Sequence, residues 1–343
     1  MSRERALGIA GGGLVVLALT LAAGLFFKDL LPLPQPRRYL GGDFAILFYT
    51  AFRYVAEEVG AGQLPHWTPY VGVGYPLLAD IQTAVFYPPI RLLTLVTGPP
   101  SYLALELYAI AHYVLAGLGM LALGRQAGLP LLAASLGAVA LMFSGFFWGH
   151  VAHLGIIQAA AWLPWLLAAH ARALVTRSPA WRIAAGGLLA LVVLGGHPQV
   201  AFYAGVALGL SSLTVLQSRW RGADWWTRLR IPATTGVVVL LGLALAAPQL
   251  LPTLRVARSA ARWTPSTDFL AIDTLPLEQL LTLLVPFAYF ATDRFLSADE
   301  FVLYVGTGTL LLAAAGVVLR RDVWSRYFAL LAIVGLALAL GPL

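Results

Sequence analysis

The sequence predicts an all-α polytopic membrane protein with about nine transmembrane helices. Of its 343 residues, 60% are hydrophobic and only 11% are charged, whereas a soluble domain carries about 25% charged residues. Apolar runs of roughly the length that crosses a bilayer recur along the chain. The predicted spans are 6–27, 102–123, 129–147, 154–170, 183–196, 200–217, 231–251, 302–319 and 326–341.

The first span follows a basic start. Arg3 and Arg5 precede an apolar run from Ala6 to Phe27. The apolar core of a cleaved signal peptide has about 7–15 residues and is followed by a small-residue cleavage site. This run is longer and lacks such a site, so we expect an uncleaved first span with a cytoplasmic N-terminus.

Basic residues lie at the ends of the predicted spans. Threading the chain from a cytoplasmic N-terminus puts most of them on short inner segments, as the positive-inside bias requires. The net charge of +7 therefore indicates topology and not a nucleic-acid partner. The chain has no cysteine, which excludes disulfide and thiol chemistry. The inner residues are Arg3, Arg5, Arg125, Arg172, Arg177, Arg182, Arg219, Arg221, Arg228, Arg230, Arg320, Arg321 and Arg326.

Two long segments, about 28–101 and 252–301, fall on the extracytoplasmic side of a single transmembrane module, 1–343. Function is expected on that side, because loops on a rigid scaffold carry most binding and catalytic residues. The first segment contains an apolar face at helical spacing, which predicts a short amphipathic helix on the membrane surface. That face consists of Phe44, Leu47, Phe48, Ala51, Phe52, Val55 and Val59.

Asp43 stands where this helix is predicted to begin, after Gly41 and Gly42. One interpretation is an N-cap, because aspartate is among the best capping residues. The other is a general base at the membrane surface, where the helix dipole favours a negative charge. The residues alone leave both interpretations open.

The run from Gly62 to Pro89 combines turn residues with aromatic rings. An interfacial aromatic belt is one interpretation. The other is a platform for a sugar, with polar contacts from His66, Asp80 and Gln82. The rings concerned are Trp67, Tyr70, Tyr75, Phe86 and Tyr87.

Several motifs follow one another in a fixed order. Gly42-Asp43 and the amphipathic helix precede G-Q-L-P-x-W-x-P-Y-x-x-x-G-x-P and A-x-x-Q-x-x-x-F-Y-P-P. Later motifs are F-S-G-F at 143–146, A-W-L-P at 161–164, G-G-H-P-Q at 195–199, Q-L-L-P-T at 249–253 and the segment 275–286. Together they resemble the N-terminal half of bacterial YfhO-type membrane proteins, which are related to GT-C glycosyltransferases.

The resemblance implies a GT-C-like fold in the bacterial cytoplasmic (plasma) membrane, with its active face outside the cytoplasm. It also implies a polyprenyl-phosphate sugar as donor. The pattern has Asn where this chain has Asp80. Because that family is roughly twice as long, we expect a C-terminal half to be missing from this chain.

Histidines and glutamine mark two further outward-facing turns. His197 and Gln199 form either a tight turn before a Pro-initiated helix or a substrate contact. His153 follows His150 in an H-x-x-H pair that is interfacial, contacts substrate, or joins His66 or Asp80 in a divalent-metal site. No cofactor is predicted beyond the donor lipid.

Arginines follow the seventh predicted span at i, i+3 and i+7: Arg255, Arg258 and Arg262. They bind either anionic lipid headgroups or the donor's phosphate. Glu278 in the same outer segment is a candidate to orient them. Glu106 and His112 lie within a predicted span, where ionisable residues indicate function or a hydrogen-bonded packing role.

These observations favour a membrane glycosyltransferase. It would transfer a monosaccharide from a polyprenyl-phosphate donor to a cell-envelope polymer, lipid or protein, with Asp43 as general base. The alternatives are a transporter or flippase of a lipid-linked sugar, and a noncatalytic membrane scaffold. The scarcity of charges at the predicted bilayer midplane disfavours transport.

Overall fold

The computed structural model describes residues 3–32, 38–222, 224–260, 274–286, 288 and 302–341. These residues form helices and turns, and the only β-pairing among them is an isolated bridge between Thr68 and Tyr75. The helices are α1 (Arg3–Phe26), α2 (Thr50–Gly60), α3 (Pro88–Thr97), α4 (Tyr102–Gln126), α5 (Leu131–Met142), α6 (Gly145–Gly149), α7 (Leu154–Ala160), α8 (Leu163–Thr176), α9 (Pro179–Leu194), α10 (Pro198–Arg219), α11 (Trp225–Ala257), α12 (Thr307–Leu319) and α13 (Val323–Leu340).

Six helical stretches of the described chain are long and apolar enough to cross a bilayer. They are Tyr102–Gln126, Leu131–Gly149, Leu154–Thr176, Pro198–Arg219, Trp225–Ala257 and Val323–Leu340. Three shorter apolar helices are Gly12–Phe26, Pro179–Leu194 and Thr307–Leu319. Each predicted span overlaps one of these stretches. The prediction of an all-helical multi-pass membrane protein is confirmed, while the count of nine stays a prediction.

Polar contacts define two ends of the helix bundle. At one end, Arg172 donates to Oε1 of Gln126 at 3.1 Å, which joins the last turns of α8 and α4. We call this the basic end. At the other end, the backbone N–H of Leu40 donates to buried Glu106 at 3.0 Å, and Gln249 donates to the carbonyl of Leu78 at 2.9 Å. These bonds tie the first long segment to α4 and α11, and we call this the loop end.

The predicted amphipathic helix is present, with a π-helical first part, Phe44–Tyr49, that continues into α2. Phe44, Phe48 and Phe52 are buried and pack with Tyr87 and with the start of α4. Their four-residue spacing places the three rings on one face of the helix. The prediction of an apolar face is thus confirmed for these three rings and for Val55, whereas Val59 is exposed and Leu47 and Ala51 are only partly buried. The buried rings fix the helix on the bundle.

A buried hydrogen-bond network joins the first long segment to the spans. Nδ1 of His112 lies 2.8 Å from the carbonyl of Tyr108, so in neutral imidazole Nδ1 carries the proton and Nε2 accepts. The hydroxyl of Tyr87 then donates to Nε2 of His112 at 3.0 Å and accepts from Nε1 of Trp162 at 2.6 Å. His112 therefore has the hydrogen-bonded packing role, and the network holds Tyr87 in place.

The turn after α9 packs without space for a side chain. A Cβ atom at Gly195 would lie 2.8 Å from backbone atoms of Ala159 in α7. Gln158, next to Ala159, donates to the carbonyl of Gly195 at 3.2 Å. The backbones of the α9 turn and α7 are therefore in direct contact.

We predict that Gly195→Ala destabilises the protein by about 1–3 kcal/mol, since overpacked sites lose about that much. The matched control is Gly187→Ala in α9, where a Cβ would meet no atom within 4 Å. That substitution is expected to stabilise by roughly 0.5–1 kcal/mol, the usual gain from alanine in a helix. Thermal unfolding in detergent checks both signs, and equal shifts for the two variants would contradict the packing.

Candidate functional site

Four turns of the chain meet at the loop end. A Cβ atom at Gly42 would touch Cβ of Ala152 at 4.0 Å. One at Gly155 would lie 3.3 Å from the carbonyl oxygen of Gly196. One at Gly196 would lie 3.0 Å from the carbonyl oxygen of Ile81. We call this the four-turn cluster; it brings together Asp43, Gln82, His150, His153 and His197.

Asp43 does not cap its helix. Its φ of −59° and ψ of −28° are already helical, and its side chain makes no capping hydrogen bond. A capping side chain normally extends from a β-region backbone. The exposed carboxylate instead has Oδ2 3.6 Å from Nε2 of His153. That distance suits an ion pair with a protonated imidazole and exceeds a direct hydrogen bond.

His153, which lies beside Asp43, is close to two further histidines, His150 and His197. The rings of His150 and His153 are 5.8 Å apart. Nδ1 of His150 lies 2.8 Å from the carbonyl oxygen of Phe146. Burial, together with the charges of His150 and His153, lowers the pKa of His197 to about 4. His197 is therefore neutral near pH 7.

Asp80 and Gln82 shape the first long segment. Asp80 accepts from the backbone N–H of Gln82 at 2.9 Å and from the hydroxyl of Tyr75 at 3.1 Å, so both carboxylate oxygens are engaged. Burial raises the pKa of Asp80, and burial beside Asp80 raises the pKa of Tyr75 to about 12. Asp80 thus fixes the loop, while the half-buried Gln82 borders the α9 turn.

An open cavity of about 850 Å³ lies between the amphipathic helix and the loop 68–83. We call it the tyrosine groove. Its aromatic and polar lining consists of Tyr49, Tyr54, Tyr70, Tyr75, Arg53, Glu57, Asp80 and Gln82.

Trp67 packs against the loop that forms one wall of this groove. A Cβ at Gly74 would lie 2.2 Å from the indole of Trp67, so the ring lies directly on the Gly74 backbone. Gly74 has φ +109°, a conformation that side-chain-bearing residues rarely adopt. The adjacent backbone pair, Thr68 and Tyr75, exchanges two hydrogen bonds of 2.9 and 2.8 Å. Trp67 therefore supports the hairpin that presents Tyr70 and Tyr75.

Some predicted contact residues lie away from these two sites or are inaccessible. Tyr87 has no exposed surface, and its hydroxyl is engaged by Trp162. His66 is exposed and is not part of the groove lining. Gln199 is exposed and donates to the hydroxyl of Tyr203 at 2.7 Å.

Two of the three candidate arginines lie at the end of α11. A shared i, i+3, i+7 face requires the helix to continue, but α11 ends at Ala257. Arg255 is exposed in its last turn, and exposed Arg258 is the C-cap residue. Arg262 lies outside the described residues. Glu278 is exposed in the first turn of the 3₁₀ helix Leu277–Leu283.

The second long segment reaches the bundle near the histidines. The N–H of Gly145, at the start of α6, donates to the carbonyl of Tyr304 at 2.6 Å. The hydroxyl of Thr282 accepts from the N–H of Leu303 at 3.1 Å. Because α6 leads directly to His150, these bonds connect the segment around Glu278 to the turn that carries the histidines.

The face of the amphipathic helix that lines the groove was not predicted from the sequence. Tyr49, Arg53, Tyr54 and Glu57 follow one another at i, i+4, i+5 and i+8, a spacing that places them on one face. That spacing was the available signal.

Among the described residues, no three His, Asp or Glu side chains are arranged to hold a metal ion. Comparisons with protein-family models, curated proteins and solved structures found no match to this chain.

Because folded His197 is hard to protonate, we expect the protein to lose stability in acid. The unfolded chain takes up a proton near the ordinary pKa of 6.5, but folded His197 does so only near 4. Protonation between these values favours the unfolded chain, so stability is complete above about pH 6.5 and falls towards about pH 4. In His197→Asn, the unfolding temperature should fall less over this range than in the unmodified protein.

The control is His66→Asn, at an exposed histidine outside the four-turn cluster. Its acid dependence should match that of the unmodified chain. Parallel pH profiles for His197→Asn and His66→Asn would contradict the role of His197 burial.

Proposed function

We propose that this protein is a GT-C-like membrane glycosyltransferase related to the YfhO-type proteins. It transfers a monosaccharide from a polyprenyl-phosphate donor to a hydroxyl group of a cell-envelope acceptor. The observation that carries the proposal is the exposed Asp43 carboxylate, which its own helix does not use and which His153 approaches at 3.6 Å. The motif resemblance supports the same reaction.

Asp43 acts as the general base. Its carboxylate takes the proton of the acceptor hydroxyl while the acceptor oxygen forms a bond to the anomeric carbon of the donor sugar. The bond from that carbon to the phosphate oxygen breaks, and its electron pair leaves with the phosphate. One displacement of this kind inverts the anomeric centre. His153 is a positioning residue, because its Nε2 lies 3.6 Å from Oδ2 of the carboxylate and limits where that carboxylate can turn.

The leaving phosphate is already ionised and needs no proton. Arg255 and Arg258 are our candidates to bind it, since a guanidinium matches phosphate geometry. Both are exposed at the C-terminal end of α11, a helix whose Gln249 is bonded to the first long segment. Glu278, on the segment connected to α6, is a candidate to orient them.

Transport of a lipid-linked sugar has less support. Transporters bind cargo near the bilayer midplane with groups that face a pathway. In α4, His112 and Tyr108 are buried and bonded to Tyr87 and Gln158. These polar groups are engaged with one another, whereas Asp43 and the polar lining of the tyrosine groove lie at the loop end.

The positive-inside bias places the basic end in the cytoplasm and the loop end outside it. In this orientation Asp43, the histidines and the tyrosine groove face the extracytoplasmic side. A lipid donor can reach them from the outer leaflet, and the acceptor can reach them from the cell envelope. We place the protein in a bacterial plasma membrane because of the YfhO resemblance.

Asp43 should be essential for transfer and dispensable for folding. We expect Asp43→Ala and Asp43→Asn to lower transfer by about 10²–10⁴-fold, the usual contribution of a general base. Their unfolding temperature should stay unchanged, because no capping bond is lost. Transfer is measured in membranes with a panel of radiolabelled polyprenyl-phosphate monosaccharides.

The matched control is Asp224→Ala at the basic end. Asp224 caps α11 by accepting from the N–H of Thr227 at 2.9 Å, so its loss should cost about 1 kcal/mol of stability and leave transfer intact. Normal transfer by Asp43→Asn would remove Asp43 from the reaction.

The orientation is testable because the chain has no cysteine of its own. Val73→Cys places a thiol on a fully exposed loop residue at the loop end, and Ala180→Cys places one in the first turn of α9 at the basic end. A membrane-impermeant maleimide should label the first in intact cells and the second only after permeabilisation. The reverse pattern would refute the assigned orientation.

A further inference from the structure

The tyrosine groove combines flat rings with hydrogen-bonding edges. The rings of Tyr54 and Tyr70 meet edge to face at 5.7 Å, and Tyr70 is 81% exposed. Tyr75 closes the loop side of the groove, with its hydroxyl fixed on Asp80. A sugar ring also has apolar C–H faces and polar edges, so it can stack on these rings while its hydroxyls find polar partners.

The charged side chains that line the groove already have partners within its walls. Arg53 donates to Glu57 at 3.2 Å, and its guanidinium lies 6.0 Å from the centre of the Tyr49 ring. Asp80 is half-buried and accepts two hydrogen bonds from its own loop. The lining thus offers no uncompensated guanidinium to a phosphate, and it favours a ligand without net charge.

The groove begins close to the proposed catalytic carboxylate. Leu47, which lines the groove, follows Asp43 by four residues, which is about one turn of the helix. At the loop side, a Cβ at Gly196 would lie 3.3 Å from Cα of the groove residue Gln82. His197 is the next residue. The groove therefore runs up to the four-turn cluster on both of its walls.

The cavity volume of about 850 Å³ is at the upper end of ordinary ligand sites, which span about 300–1,000 Å³. A volume of this size accommodates more than a single monosaccharide ring. The exposure of Tyr70 also leaves the groove open at the side away from Asp43, so a chain can extend out of it.

We propose that the tyrosine groove is the acceptor site and that it binds a neutral saccharide chain, with Tyr70 and Tyr54 stacking on its rings. Resting on the proposed transferase function, this assigns a chemical class to the acceptor: a neutral glycan, whose terminal hydroxyl is directed to Asp43. The donor lipid approaches the four-turn cluster from another side.

The test measures binding without donor and without transfer. The full chain in lipid nanodiscs is titrated with short neutral oligosaccharides, namely maltotetraose, cellotetraose, mannotetraose and galactotetraose, and with acidic tetragalacturonate. We expect at least one neutral chain to bind more tightly than tetragalacturonate. Failure of every neutral chain to bind, or a preference for the acidic chain, would overturn the proposal.

Variants locate the binding in the groove. Tyr70→Ala removes an exposed ring and should weaken binding about tenfold, whereas Tyr70→Phe keeps the ring and should bind within a few-fold of the unmodified chain. Trp226→Ala removes an equally exposed ring at the basic end and should change nothing. Unchanged binding by Tyr70→Ala would show that the oligosaccharide binds outside the groove. Competition by a sugar-free polyprenyl phosphate would show that the groove binds the donor lipid and not the acceptor.

Asp43→Asn separates this proposal from the transferase reaction. It should bind the oligosaccharide with unchanged Kd, because Asp43 does not line the groove. If Asp43→Asn loses transfer but the unmodified chain binds no glycan, Asp43 remains the general base and the groove is not the acceptor site. If glycan binding depends on Tyr70 but Asp43→Asn transfers normally, the groove remains the acceptor site and Asp43 is not the general base.

Discussion

The turn formed by Gly195 and Gly196 packs backbone against backbone on two sides, and the arrangement of the loop end depends on it. On one side Gly195 contacts Ala159 in α7, and on the other Gly196 contacts Ile81 in the first long segment. A side chain at either position would separate these surfaces. Because His153 precedes α7 and His197 precedes α10, this one contact sets the distance between the histidines.

The amphipathic helix then connects the two parts of the site. Its phenylalanine face is buried against α4 and holds the helix on the bundle. Its N-terminus places Asp43 beside His153, and its remaining side places Tyr49, Arg53 and Tyr54 in the groove. A single helix therefore couples the proposed base to the proposed acceptor site, and a shift of the helix would move both together.

Local patterns in the sequence were sufficient to predict the helices and the buried face that starts at Phe44. They did not predict the π-helical start, because rings spaced four residues apart are equally typical of an ordinary α-helix. They also did not predict that Asp43 meets His153, since 110 positions separate them and only the packing of turns brings them together. The phosphate contact of the arginines stays a prediction, since α11 stops at Ala257 and Arg262 lies outside the described residues.

The aspartates at helix starts differ in backbone conformation, and this difference decides whether the side chain caps its helix. Asp80, Asp224 and Asp322 have ψ angles of 110°, 167° and 176°, and each accepts a hydrogen bond from a backbone N–H in the following turn. Asp43 has a ψ of −28° and accepts no such bond. In an extended residue the side chain turns back over the first helical N–H groups, whereas in a residue that is already helical it points away from them. The two glycines before Asp43, of which Gly42 has φ +58°, let the chain enter the helix one residue early. The local backbone thereby leaves this carboxylate available to a neighbouring histidine, while the other three stabilise the turns that follow them.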